Sequence, residues 1–145
     1  MAGFSTASAN KGLALILNAT AWANVADNAA TSPATTCVHA AHTADPGVGG
    51  NQSTNESAAS GYARKTVTRN SSGYTVTNNV ASPTSNISFN AFTGSGTALT
   101  FISLATSNTT SGAVNHDLSG ALSPSVTPAN GLTMILTTAS TITLT

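Results

Sequence analysis

Short segments in which polar and apolar residues alternate occupy most of the chain from about residue 36 to its end. Each is rich in Thr, Val, Ile and aromatic residues and is bounded by Gly, Pro, Asn or Ser. In chain order they are TTCVHAAHT, YARKTVTR, GYTVTNNVA, NISFNAF, TALTFISLA, GAVNHDLSGAL, LTMILT and STITLT. Successive side chains of a strand point to opposite faces, so the pattern predicts strands that bury one face. The fold class we predict is mainly β, an antiparallel β-sandwich or jelly-roll-like domain.

Two of these segments indicate which side chains form the core. In NISFNAF, Ile87, Phe89 and Ala91 share one face and Ser88 and Asn90 the other, and we predict the first of these faces to be buried. The closing stretch LTMILTTASTITLT is typical of a final hairpin, with Leu132, Met134 and Leu136 facing inward.

A short amphipathic helix is predicted ahead of the strands, from about Ser8 to Asn18. Leu13, Ile16 and Leu17 recur at helical spacing, and Ser8 is a suitable N-cap. A helix this short is stabilised mainly by packing, so its apolar stripe must dock against another surface.

The segment 19–35 has no period and contains Pro33, which favours a loop or arm anchored by Trp22. We therefore divide the chain into a helix and arm, residues 1–35, and a β-sandwich domain, residues 36–145.

Charge is scarce, and this excludes several classes of function. Charged residues make up 6% of the chain, against about 25% in an ordinary soluble protein, and the net charge is zero. No basic stripe is present to bind phosphates, so we expect no nucleic-acid partner. Hydrophobic residues make up 40%, which argues against disorder. The apolar run GLALIL is short and is followed by Asn18 and Thr20, so we expect neither a secretory signal nor a membrane span.

A metal site is the first alternative for the histidines. Cys37, His39 and His42 are possible zinc ligands. On a strand, Cys37 and His39 face one side and His42 the other, so alternation separates the three. We expect no metal or other cofactor, and we expect Cys37, the single cysteine, to be a small core residue.

Catalytic patterns are also missing from the sequence. It contains no G-x-S-x-G elbow, and His116 and Asp117 would point to opposite faces of a strand. A pair of catalytic carboxylates could be drawn only from Asp27, Asp45, Glu56 and Asp117. We expect the protein not to be an enzyme.

The charges that exist are concentrated around one glycine-rich loop. Residues 39–69 hold five of the eight charged side chains. Asp45, Pro46 and Gly47 are turn residues, because Asp accepts backbone N–H groups, Pro fixes φ and Gly allows positive φ. We predict that Asp45 and Arg64, at neighbouring strand ends, tie the loop 45–61 to the sheet, through a charge pair or through bonds from Arg64 to backbone carbonyls.

The same loop carries a resemblance to a known family. The block HTADPG, then Asn55-Glu56, then Gly61-Tyr62-Ala63-Arg64, resembles small virion proteins of tailed bacteriophages, as does the ending NGLTMILTTASTITLT. This chain departs from the family pattern at Ala41, where Leu is usual. The resemblance implies a phage structural protein without catalytic residues. The residues expected to pin the loop are Asp45, Pro46, Gly47, Glu56, Tyr62 and Arg64.

From these observations we expect a virion protein, more specifically a capsid decoration or cement protein on the head surface. A compact chain without coiled coil or repeats favours the head over a fibre, and a neutral surface suits many packed copies. The expected partners are the major capsid protein or copies of the chain itself. The possible assembly contact is Leu13, Ile16, Leu17 and Trp22. The alternatives are a minor tail or tail-fibre component with tail proteins as partners, and a carbohydrate-binding β-sandwich.

Overall fold

The computed structural model describes residues 4–26, 29 and 31–144. These residues form one helix and nine strands, arranged in antiparallel sheets. The strand orders are β2-β1-β6-β7, β3-β4-β9 and β5-β8. The predicted mainly β, antiparallel fold with a short N-terminal helix is confirmed. The elements are α1 Thr6–Asn18, β1 Thr36–His42, β2 Lys65–Thr68, β3 Tyr74–Thr77, β4 Val80–Pro83, β5 Ile87–Ala91, β6 Leu99–Thr106, β7 Leu118–Val126, β8 Thr133–Leu136 and β9 Ile142–Thr143.

Helix α1 begins earlier than the sequence suggested. Its N-cap is Ser5, whose side chain accepts a hydrogen bond from the backbone N–H of Ser8 at 3.2 Å. The prediction of Ser8 as N-cap is therefore wrong, since Ser8 lies in the first helical turn. The helix ends at Ala19, which adopts a left-handed conformation with φ of 53°.

The chain groups into two units by its internal contacts. The first unit comprises Met1–Thr35, Thr68–Ile87 and Leu136–Thr145, and the second comprises Thr36–Val67 and Ser88–Ile135. Residue 35, where we divided the chain, is one of the boundaries between these units. Whether residues 1–35 and 36–145 are separate domains stays a prediction.

The first unit is built around the apolar face of α1, which packs on β3 and β4. Leu13 and Leu17 are fully buried, together with Tyr74 and Ala81 of those strands. Leu13 and Leu17 of the possible assembly contact are therefore covered by their own chain, and the contact of part of this surface with another subunit stays a prediction. Ile16 and Trp22 are half-buried.

Arg69 holds the carboxyl end of the helix. Its Nε donates to the carbonyl of Ile16 at 2.6 Å and its Nη2 to that of Leu15 at 2.6 Å, while Nη1 reaches the carbonyl of Ala34 at 3.2 Å. The last four carbonyls of a helix have no partner within it, and a cation there also complements the helix dipole. A single buried side chain thus satisfies carbonyls of two different segments.

The second unit has β1 and β6 at the centre of its larger sheet. The two strands pair antiparallel, from Cys37 opposite Thr106 to His42 opposite Phe101. Six of the seven residues of β1 are buried, so this strand has no solvent face. Cys37 is fully buried, which confirms its expected place in the core.

The chain's final two strands do not form the predicted hairpin. Strand β8 pairs with β5, whereas β9 pairs with β4 through Ala81 opposite Ile142. Alternation determines which face a side chain takes, but not which strand lies alongside. Met134 is buried as predicted, and Leu136 is half-buried, but Leu132 is 40% exposed.

Ile87 and Phe89 of β5 are buried as predicted, at 5% and 3% exposed, but Ala91, at the end of the strand, is exposed and the prediction for it is wrong. Among the residues that the structure describes, no helix has the length and apolar character needed to cross a membrane.

Candidate functional site

Three side chains of the segment that joins β1 to β2 meet in one hydrogen-bonded group, which we call the loop cluster: Glu56, Tyr62 and Arg64. Arg64 donates two hydrogen bonds to the Glu56 carboxylate, from Nε to Oε1 at 2.7 Å and from Nη2 to Oε2 at 2.8 Å. The side chains of this pair are 3% and 20% exposed. The bond to Glu56 raises the pKa of Arg64. Two parallel charge-assisted bonds fix orientation as well as distance.

Tyr62 connects the loop cluster to the sheet. Its hydroxyl donates to Glu56 Oε1 at 3.2 Å and accepts the backbone N–H of Ala41, in β1, at 2.9 Å. Burial raises the pKa of the Tyr62 hydroxyl. The Tyr62 ring stacks on Phe89, with 6.3 Å between ring centroids. The phenol therefore joins the loop to β1 through its oxygen and to β5 through its ring.

Arg64 also binds a second loop, between β6 and β7. Its Nη2 donates to the carbonyl of Gly112 at 2.8 Å, and the Ser53 hydroxyl donates to the same carbonyl at 2.8 Å. The backbone N–H of Gln52 donates to the carbonyl of Val114, also at 2.8 Å. The loop cluster thus fastens two irregular segments to each other, which agrees with the need of such segments for hydrogen-bond partners.

Asp45 has a different role from the one predicted. Its carboxylate accepts the backbone N–H of Gly47 at 2.8 Å, and its carbonyl accepts the Asn55 side-chain amide at 3.0 Å. The ion-pair partner of Arg64 is Glu56, so the predicted charge pair of Asp45 with Arg64 is wrong, whereas Arg64 does bond to a backbone carbonyl, that of Gly112. Of the two carboxylates, Glu56 is the nearer to Arg64 along the chain, and it is the one that Arg64 binds. Asp45 forms a local turn with Gly47, whose φ is +70°.

The six predicted loop residues therefore form two groups. Glu56, Tyr62 and Arg64 come together in the loop cluster. Asp45 and Gly47 form the turn at the start of the loop, next to Pro46, which is buried.

His42 and Ser103 form a second polar pair, which the sequence analysis did not find. His42 Nδ1 lies 2.8 Å from the carbonyl of Thr54, and Nε2 lies 2.7 Å from the Ser103 hydroxyl. A carbonyl only accepts, so Nδ1 carries the proton and Nε2 accepts from Ser103. Burial lowers the pKa of His42, in keeping with the neutral ring. The two side chains belong to paired strands, at residues 41–42 of β1 and 101–103 of β6. The sequence alone did not show that these strands pair, so the two residues could not be recognised as neighbours.

A hydrogen-bonded serine and histidine can act as nucleophile and base, but the burial here opposes that use. His42 is fully buried and Ser103 is 1% exposed. A substrate would have to open the sheet to reach the Ser103 oxygen. The pair holds the carbonyl of Thr54, and so the loop, against the central strands.

The possible zinc ligands are not gathered into a site. Within the described part of the chain, no group of three His, Cys, Asp or Glu side chains is placed to hold a metal ion. Both ring nitrogens of His42 already bond to the chain, and Cys37 and His39 are buried in β1. That the protein binds no metal stays a prediction.

An open pocket of about 290 Å³, with a lining as apolar as it is polar, lies beside the loop cluster. Its lining includes Glu56, Tyr62 and Arg64 from one loop and Thr110, Ser111 and Gly112 from the other. The charged groups in its wall are already paired with each other, so the pocket offers mainly hydroxyl and backbone groups to a ligand.

The function of the chain is indicated by its similarity to a known protein family. Residues 3–145 match the family described as Podophage GP4 fiber I protein gp80. The chain belongs to this family. It is therefore a bacteriophage virion structural protein, as the sequence resemblance implied. The match to this family does not test whether the block HTADPG, Asn-Glu and GYAR is a motif of the family. The assignment of that motif stays a prediction. No curated protein matches the chain.

Proposed function

We propose that the protein is a tail-fibre component of a podophage-like virion, in place of the head decoration protein expected from the sequence. The observation that carries this proposal is the match to a fibre protein family over residues 3–145. That span is 145 − 3 + 1 = 143 residues of the 145 in the chain. A compact chain without coiled coil, which favoured the head in the sequence, is equally compatible with a fibre made of globular parts.

The physical character of the chain supports a structural part in the virion. Its loops are held by bonds between side chain and backbone, such as those of Arg64 and Tyr62. Its surface is largely Ser, Thr and Asn, with four acidic and four basic residues in all. A neutral surface lets copies pack closely without charge repulsion. The partners we propose are other tail proteins and copies of the chain, with no nucleic acid or membrane partner.

We also propose that no reaction occurs at His42 and Ser103, because both side chains are closed off from solvent. A panel of ester and glycoside substrates should give no turnover above that of a Ser103→Ala variant. Turnover that is lost in Ser103→Ala, with the fold retained, would contradict a purely structural role.

The location is tested by imaging the virion. Gold-conjugated antibodies raised against the purified chain should label the tail region of negatively stained particles. Antibodies against the major capsid protein serve as the matched control, and preadsorption with the purified chain should abolish tail labelling only. Label spread over the head would contradict the fibre proposal and restore the decoration protein.

A further inference from the structure

The pocket beside the loop cluster has walls that are fixed to each other. One wall is formed by Glu56, Tyr62 and Arg64 and the other by residues 110–112, and the whole lining belongs to the second unit. The bond from Arg64 to the carbonyl of Gly112 ties the two walls together. Because hydrogen bonds already hold both walls, binding of a ligand requires little further ordering of the chain.

The charges in the lining cancel each other. Arg64 and Glu56 are the charged residues of the lining, and they are joined by two bonds of 2.7 and 2.8 Å. An anion would meet a guanidinium that is 3% exposed and already bonded, and a cation would have to compete with that guanidinium for the carboxylate. An uncharged ligand meets neither obstacle, so the pocket favours one.

Three groups of the lining can bond to such a ligand. The hydroxyls of Thr110 and Ser111 are exposed and, in the part of the chain that the structure describes, bond to no other residue. Glu56 Oε2 accepts from Arg64 alone among those residues, although a carboxylate oxygen can accept two hydrogen bonds. A hydroxyl both donates and accepts, whereas a carboxylate only accepts. A complementary ligand therefore carries several neighbouring O–H groups.

Size and lining narrow the ligand further. The pocket holds about 290 Å³, at the lower end of the roughly 300–1,000 Å³ of ligand pockets, so it accommodates one ring rather than a long molecule. Its lining is as apolar as it is polar, with Tyr62 and Ala63 among its residues. A sugar ring combines both properties, because its hydroxyls surround a ring whose faces carry C–H groups.

We propose that this pocket binds an uncharged sugar ring. Neighbouring hydroxyls of the sugar bond to Glu56 Oε2, Thr110 and Ser111, and its C–H groups contact Tyr62 and Ala63. The open pocket leaves part of the ring in water, so a single site binds weakly, with a dissociation constant on the order of 1 mM. The binding does not depend on whether the protein lies on the tail or on the head.

Neutral monosaccharides test this site on the full-length chain. Glucose, galactose, mannose, rhamnose and N-acetylglucosamine would each be titrated to about 100 mM into isotope-labelled protein, and the amide signals followed by NMR. At least one of these sugars should shift the amides of Ala63, Ser111 and Gly112 saturably. Glucuronate and glucosamine, which place a charge on a similar ring, should bind more weakly than that sugar.

Two double variants separate the pocket from the rest of the surface. Thr110→Val with Ser111→Ala removes both free hydroxyls, so the dissociation constant should rise at least about tenfold. Amide signals that are unchanged outside the pocket would show that this variant is folded. The matched control, Ser125→Ala with Thr127→Val, makes the same kind of change at exposed positions outside the lining and should bind like the wild type.

Four results would overturn the proposal. They are a panel in which no neutral sugar gives saturable shifts, shifts that lie outside the pocket, a hydroxyl variant that binds as tightly as the control, and a charged sugar that binds more tightly than the neutral ones. Any of these results would leave the fibre proposal intact, since immunogold labelling measures the location of the protein and not its binding of sugars.

Discussion

Replacing Arg64 with Ala should destabilise the second unit by about 2–3 kcal/mol. An exposed ion pair contributes about 0–1 kcal/mol, whereas removing one partner of a buried pair costs about 3–5 kcal/mol. The Arg64–Glu56 pair lies between these limits but nearer the second, because its side chains are 3% and 20% exposed. Arg64→Ala also leaves the Gly112 carbonyl without its charged donor, although the Ser53 hydroxyl still donates to it.

Several features keep the expected loss below the full buried-pair value. Glu56 retains the Tyr62 hydroxyl as a donor, and part of its side chain reaches solvent. For a chain of this length, a change of 1 kcal/mol corresponds to about 3 °C in Tm. We therefore expect Arg64→Ala to lower Tm by about 5–10 °C.

Urea titration and thermal melts followed by circular dichroism would measure the effect. Lys65→Ala is the matched control, because it removes the same charge one residue along and should change stability by less than about 0.5 kcal/mol. Arg64→Lys should recover little, since an ammonium cannot bind both carboxylate oxygens in the same fork geometry. The double variant with Glu56→Gln should cost less than the sum of the single changes. If Arg64→Ala melts like the Lys65→Ala control, the loop cluster does not stabilise the fold.

Three further outcomes are expected. Burial lowers the pKa of His39 from 6.5 to about 4. The contribution of this group to the free energy of unfolding is therefore fully present above pH 6.5 and is lost as the pH falls towards 4. Urea titrations from pH 7.5 to 4 should show a loss approaching about 3 kcal/mol from this group, and His39→Gln should flatten the profile. Gly50→Ala should disrupt the loop, because a Cβ there would lie 1.9 Å from the carbonyl oxygen of Pro46; an unchanged melt would contradict this. Elemental analysis should find no stoichiometric zinc, and a zinc content abolished by Cys37→Ala or His42→Ala would contradict the expectation.

Much of the fold could be predicted from the sequence, because local patterns reflect local geometry. The alternation in NISFNAF correctly placed Ile87 and Phe89 in the core, and the helix stripe was correctly assigned to an apolar contact. What covers that stripe is a matter of tertiary pairing, and the strands that bury Leu13 and Leu17 follow about 60 residues later in the chain. Local periodicity contains no information about such distant partners.

The ion pair in the loop cluster also depends on tertiary structure that local sequence patterns do not contain. Of the five charges clustered in the sequence, Asp45, Glu56 and Arg64 do bond within the loop, whereas Arg69 binds helix carbonyls; Glu56, Tyr62 and Arg64 were all among the expected residues. The choice between Asp45 and Glu56 as the partner of Arg64 depends on how the loop turns. Asp45 is occupied locally by the N–H of Gly47, which leaves Glu56 to meet the guanidinium. An Asp side chain in a turn commonly bonds to the backbone N–H two residues further along, so turn chemistry could have decided this pairing in advance.

The distribution of charge connects the stability of the chain with its proposed assembly. Of its four basic residues, Arg64 and Arg69 are used inside the fold, the first on a carboxylate and the second on helix carbonyls. Both guanidinium charges are therefore bound within the fold. A chain that uses its few charges to brace a loop and a helix end shows little charge at its surface, and a surface with little charge lets neighbouring proteins pack closely without repulsion.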